Sequence, residues 1–223
     1  MVKTMIKRHF AAILCLMLAA TSLRAQEVRR AFVNMPDSIL PTLTKVNRAD
    51  CIDFLDSKMR ALVKNRFDQQ SEMTCLSEDY IAMQLSPMHV FEMKLLPTSD
   101  TTHVICTVQT VRSGAWDSRL KFYTSSWEPL DGEGFIGLPT QTDFLPDTIP
   151  AEVADTLSTP WESLRAEADI LLMRASLADS TRVLTFGYTT PDYMSKKSGA
   201  LIAPLLKRNA VRYEWKDGKF VRE

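Results

Sequence analysis

The chain has 223 residues, 45% of them hydrophobic, with 27 Lys+Arg against 27 Asp+Glu. It is long enough to bury a core as one large or two small domains. Lys3, Lys7, Arg8 and Arg24 all fall in the first 25 positions, which hold no acid, so the rest carries a net charge of about −4. That balance argues against the clustered positive surface of a nucleic-acid-binding domain.

In chain order, Lys3, Lys7 and Arg8 precede the apolar run Phe10–Ala20, and the small Ala25 precedes Gln26. A charged, then apolar, then small-residue order predicts a secretory signal cleaved near Ala25; an uncleaved anchor is the competing reading. The run is short of the roughly 20 apolar residues that a spanning helix needs. Leu14 is too large for lipoprotein processing at Cys15. The expectation is an exported protein, periplasmic or cell-surface associated, with no transmembrane segment in its mature chain. The expected organisation is a signal peptide over 1–25, a helix plus β-meander half over 26–130, a Pro- and acid-rich connection over 131–160, and a second α+β half over 161–223.

Pro36 and Pro41 mark turns, after which the period predicts an amphipathic helix over Arg48–Phe67. Ile52, Leu55, Met59, Leu62 and Val63 share its face, Phe67 joins its end, and Asn47 is the N-cap. Five alternating stretches follow: "EMTCLS", "DYIAMQLS", "HVFEMKLLP", "HVICTVQTV" and "SRLKFYTSSW". Their links are too short for parallel crossovers, so they predict an antiparallel meander. Residues 131–160 contain prolines and acids without the close ligand spacing of a calcium loop, and allow a short helix near Ala151–Leu157. Alternation resumes at Leu171–Leu177 and Leu184–Tyr188. Thr190, Pro191 and Asp192 predict the start of a helix reaching about Ala203, with Tyr193, Ala200, Leu201 and Pro204 near one face.

The final "RYEWKDGKFV" predicts a hairpin turning at Asp217-Gly218, pairing Lys216 with Lys219, Trp215 with Phe220, Glu214 with Val221 and Tyr213 with Arg222. Val211, Tyr213 and Trp215 should then face the core. An earlier run, "KFYTSSWEPLDGEGFI", also sets aromatics before Asp-Gly and Phe after it. The two halves therefore suggest a weak internal duplication, with chance similarity as the alternative. Tyr123, Trp127, Tyr213 and Trp215 are read first as packing residues and second as a binding face. The fold class is α+β, antiparallel meander halves with a helix packed on the first.

Motifs for chemistry are sparse. His89 and His103 form no metal-ligand spacing and belong to no H-E-x-x-H. No G-x-S-x-G elbow occurs. Asp117-Ser118 is read as a turn rather than a triad fragment, and Asp53 and Asp56 as acids complementing the dipole at a helix start. Cys51, Cys75 and Cys106 show no zinc spacing. Cys75 and Cys106 are either inert core thiols or, if their strands lie close, a disulfide. No catalytic, cofactor or metal residue is assigned, and no cofactor is expected.

The segments "FVNMPDSILPTLTKVNRADCIDFLDSKM", "MKLLPTSD", "DSRLKFYTSSW", "TFGYTTPDYM" and "YEWKDGKF" together resemble an exported family of Bacteroides-like bacteria, domain of unknown function 3256. The resemblance covers nearly all of the chain beyond the signal. It implies export and a shared α+β fold, and it implies no activity and no site residues. The leading expectation for function is a non-catalytic binding or interaction protein with a protein or glycan partner. The alternatives are a hydrolase-like enzyme whose site is not visible as a motif, and a proteinaceous inhibitor.

Overall fold

The computed structural model describes residues 26–99 and 102–223. The signal-peptide expectation lies outside the described residues. Two compact units divide the chain, one ending at Met83 and one beginning at Gln84.

The first unit opens with helix α1 (26–34), which buries Val28 and Phe32. Turns carrying Pro36 and Pro41 lead to α2 (Lys45–Asp56). Its N-cap is Thr44, one turn earlier than expected. Asn47 takes the reciprocal position of a capping box, accepting from Thr44 N while Thr44 Oγ1 accepts from Asn47 N. The helix does not reach Phe67. It stops at Asp56 because Lys58 turns left-handed at φ 56°, and the N–H groups of Lys58 and Met59 fold back onto the carbonyls of Leu55 and Phe54. This is the double closure that usually carries Gly at the left-handed position. Met59 and Phe67 are consequently exposed, and the helix buries Arg48, Cys51 and Ile52 instead. Asp53 and Asp56 sit in the last turn, not the first, where the dipole disfavours acids. Arg29 of α1 compensates with a two-pronged ion pair to Asp56 at 2.7 and 2.8 Å.

Arg48 is the polar centre of this unit. It is 1% exposed. Its guanidinium donates to the carbonyls of Leu43 (2.9 Å) and Met35 and to Asp37 Oδ1 (3.0 Å). Burial lowers its pKa while Asp37 works against that shift. One charged fork thus satisfies backbone carbonyls left open where α1 gives way to the turns before α2.

Among the described residues eleven strands form two antiparallel sheets. The first runs in sequence order: β1 (Leu62–Lys64), β2 (Gln70–Leu76), β3 (Tyr80–Ser86), β4 (His89–Pro97), β5 (His103–Ser113), β6 (Ala115–Tyr123) and β7 (Pro129–Leu130). The second has the order β11-β10-β9-β8, built from β8 (Met173–Leu177), β9 (Val183–Tyr188), β10 (Ala210–Lys216) and β11 (Lys219–Arg222). The expected α+β meander fold is therefore present. Between the sheets in sequence come a 3-10 turn at Gly132–Gly134 and the short helices α3 (Gln141–Phe144), α4 (Ala151–Ala154) and α5 (Trp161–Glu167). The expected helix from Thr190 to Ala203 is two helices, α6 (Thr190–Tyr193) and α7 (Lys196–Ile202), followed by a 3-10 turn at Ala203–Leu205. Thr189, not Thr190, holds the N-cap position of the first, without a side-chain capping bond. Ser198, Gly199 and Ile202 are the buried residues of α7, whereas Tyr193 and Ala200 are exposed. Among the described residues no helix is long and apolar enough to cross a membrane.

Within the second unit, side chains of the first sheet finish the free edge of β8. The N–H groups of Met173, Ala175 and Leu177 donate to Asp117 Oδ1 (3.3 Å), Ser118 Oγ (2.8 Å) and Glu92 Oε1 (3.2 Å). Lys94 Nζ donates to the carbonyls of Ala178 and Asp179 at 3.0 and 2.7 Å. An edge strand laid over another sheet must have its backbone groups met by side chains, since no neighbouring strand is there to pair with them. Buried Glu92 and Lys94 fill that role. Asp117 and Ser118 are strand residues of β6, not the turn expected of them.

Candidate functional site

The two Asp-Gly stretches adopt different structures and then meet. Asp217 and Gly218, at φ 49° and 79°, make the two-residue hairpin turn, and the four expected cross-strand pairs are all formed. Val211, Tyr213 and Trp215 face the core as expected. Asp131 instead caps the 3-10 turn, its Oδ1 accepting from Glu133 N at 3.1 Å. Phe220 N donates to Phe135 O at 2.7 Å, so the residue after one motif is tied to the residue after the other. Phe122 stacks on Phe135 with centroids 4.7 Å apart, Phe135 on Trp215 at 6.0 Å, and Trp215 meets Phe220 edge-on at 5.0 Å. Offset and edge contacts of this kind each stabilise by about 0.5–1.5 kcal/mol beyond burial. Tyr123, Trp127, Tyr213 and Trp215 are all buried. Trp127 reaches its place from a turn at φ 67° rather than from a strand face, tilted against Tyr123 at 5.3 Å. The four aromatics are packing residues.

Beside this cluster lies an open cleft of about 460 Å³, within the usual size range of small binding sites. Leu120, Phe122 and Ile136 form its apolar wall, Leu138 stands exposed beside them, and Asp131 and Glu133 also line it. Tyr213 Oη donates to Gly137 O at 2.7 Å and fixes the wall from behind. Neither Asp131 nor Glu133 forms an ion pair among the described residues. Gly137 borders the cleft, and a methyl group added there would meet nothing within 4 Å. The arrangement offers an apolar surface next to uncompensated negative charge.

The residues weighed for chemistry are not brought together. His89 and His103 stand at opposite ends of the β4–β5 ladder, opposite Val111 and Pro97. Burial alone lowers the His89 pKa; no carboxylate contributes. Cys51, Cys75 and Cys106 form no disulfide among the described residues, so the expected Cys75–Cys106 bridge is absent; β2 and β5 are not neighbours in the strand order. Burial pushes the Cys51 thiol up to about 12 and the Cys106 thiol higher still, so neither is a ready thiolate. Sequence reasoning passed over the cleft because its wall combines alternate positions of β6 with an irregular turn, and no spacing rule joins them.

No curated protein matches the chain. A solved structure, "Structure of a domain of an uncharacterized protein from Porphyromonas gingivalis W83", is similar with TM-score 0.73 and 28% identity, covering 88% of this chain and 99% of that one. The family described as "Protein of unknown function (DUF3256)" matches residues 20–220, and the chain belongs to it.

Proposed function

We infer that the protein is an exported, non-catalytic binding protein whose cleft receives an apolar side chain of a protein partner, with a neighbouring Lys or Arg of that partner meeting Asp131 and Glu133. The cleft's pairing of apolar wall and unpaired acids carries this reading. The exposed Leu138 supports it, because it extends the cleft's apolar wall to the surface, where covering it removes apolar area from water. A protein segment fits better than a neutral glycan, since Phe122, Trp215 and Phe220 are buried and the half-buried Phe135 ring is stacked on Phe122 and Trp215. Export rests on the charged and apolar pattern of residues 1–25.

Panning a random-octamer phage library against the purified protein tests the reading. Enriched peptides should set a large apolar residue beside Lys or Arg. Gly137→Leu, which fills the cleft mouth in open space, should lose them while keeping its melting temperature. Enrichment that survives Gly137→Leu, or no enrichment at all, contradicts the proposal.

A further inference from the structure

A second surface of the same unit has the opposite character. Trp116 stands opposite Arg112 in the β5–β6 ladder. The Arg112 guanidinium carbon lies 5.6 Å from the Trp116 ring centre, and that of Arg174 lies 4.9 Å from it. Arg174 reaches this place from β8, opposite Gly187, so no side chain competes with it across the ladder. Both arginines are exposed. Neither forms an ion pair among the described residues; Asp117 of β6 instead accepts from Met173 N. Arg112 Nε makes one long contact, 3.5 Å, to Gly114 O. The indole holds both forks by cation–π attraction, while most of their five N–H donors each stay unused.

An open aromatic face lies alongside. Gly114 turns the β5–β6 hairpin at φ 84°, and a Cβ there would sit 3.3 Å from Tyr193 Cδ2. The Tyr193 ring therefore rests over the turn, yet the residue is 56% exposed. The chain is neutral overall and about −4 beyond residue 25. Its total charge gives no general attraction for polyanions, so an anion must be drawn by local geometry.

We propose that Arg112, Arg174 and Tyr193 form a binding site for an acidic saccharide, a sugar ring carrying a carboxylate or sulfate. The planar forks match the two oxygens of such a group, and Tyr193 receives the C–H face of the ring. This site is separate from the cleft and does not depend on it.

Affinity electrophoresis of the purified protein tests the proposal, in native gels containing polygalacturonate, chondroitin sulfate, dextran or poly-glutamate. Retardation is expected in at least one acidic polysaccharide, with none in dextran and less in poly-glutamate. R112Q/R174Q should weaken the retardation at least about tenfold, the scale of losing two charge-assisted contacts. Tyr193→Ala should weaken it about threefold with both arginines in place, which keeps the test decisive if the double variant proves unfolded in a thermal melt. Several results overturn the site: no retardation by either acidic polysaccharide, equal retardation by dextran, or retardation unchanged in a folded R112Q/R174Q or in Tyr193→Ala. Equal or stronger retardation by poly-glutamate overturns the saccharide assignment.

Discussion

Trp215 donates its indole N–H to the carbonyl of Pro97 at 2.7 Å, from β10 of the second sheet to the last residue of β4 in the first. Its ring also stands edge-on to Phe220, its hairpin partner. One side chain thus couples the C-terminal hairpin to the sheet it covers. Trp215→Ala should cost about 3–5 kcal/mol, as for a buried aromatic. Trp215→Phe retains ring packing and leaves the Pro97 carbonyl without its donor, for about 1–3 kcal/mol. Urea unfolding of the three proteins checks the order; a Trp215→Phe protein as stable as the unaltered one would remove the hydrogen bond from the account, and equal losses in both variants would remove the ring packing.

Two glycines should resist substitution for different reasons. A Cβ at Gly199 would lie 2.3 Å from the Pro191 carbonyl oxygen, so α7 crosses α6 where only a hydrogen fits. Gly199→Ala forces the backbones apart and should destabilise by more than about 1 kcal/mol. Gly218 has open space around it but φ 79°, and Gly218→Val should cost about 1–3 kcal/mol through backbone strain. Gly134, with open space and no left-handed φ, is the control and should accept Ala with little change.

The hairpin register was legible because Asp-Gly fixes both turn type and pairing, and period two then assigns the faces. The limit of α2 was not legible: Lys58 does what a Gly usually does, and the apolar period runs on through Leu62 and Val63, which belong to β1. Glu92 and Lys94 alternate with Phe91, Met93 and Leu95, so they read as the polar side of β4. Both are buried because β8, some eighty residues later, lays its edge against them. The cleft was hidden for a related reason. Leu120 and Phe122 read as ordinary core alternation, and the turn at Asp131–Glu133 has no period.

The thiols should differ in reactivity. Cys51 and Cys106 are buried with raised pKa values, whereas Cys75 is partly exposed. Brief iodoacetamide treatment of the native protein at neutral pH should label Cys75 well ahead of the other two, with all three labelled in urea. A mass consistent with a Cys75–Cys106 linkage, or fast labelling of Cys106, contradicts the structure.

Asp143 links acid stability to the C-terminal strand. Burial pushes its pKa up, but the Arg222 hydrogen bond, Thr140 N–H and the Arg222 charge pull it below the ordinary value of 3.8. Arg222 Nη2 lies 2.7 Å from Asp143 Oδ1. A folded pKa below the unfolded one means that this pair's full contribution is present above the unfolded value and is lost as pH falls through the folded value. Asp143→Asn should therefore be less stable at neutral pH and show a shallower loss below pH 3.8. Parallel acid limbs in melting temperature for the two proteins would remove Asp143 as a contributor.

The most direct test of the proposed cleft is a reversal of preference. Calorimetry would compare one enriched octamer with its Lys/Arg→Glu counterpart, on the unaltered protein and on Glu133→Lys. The unaltered protein should favour the basic peptide by about two- to fivefold, the scale of one partly exposed charge pair, and Glu133→Lys should favour the acidic one. Equal affinities on the unaltered protein, or the same preference in both proteins, would show that Asp131 and Glu133 do not meet the partner and that the cleft is not its site.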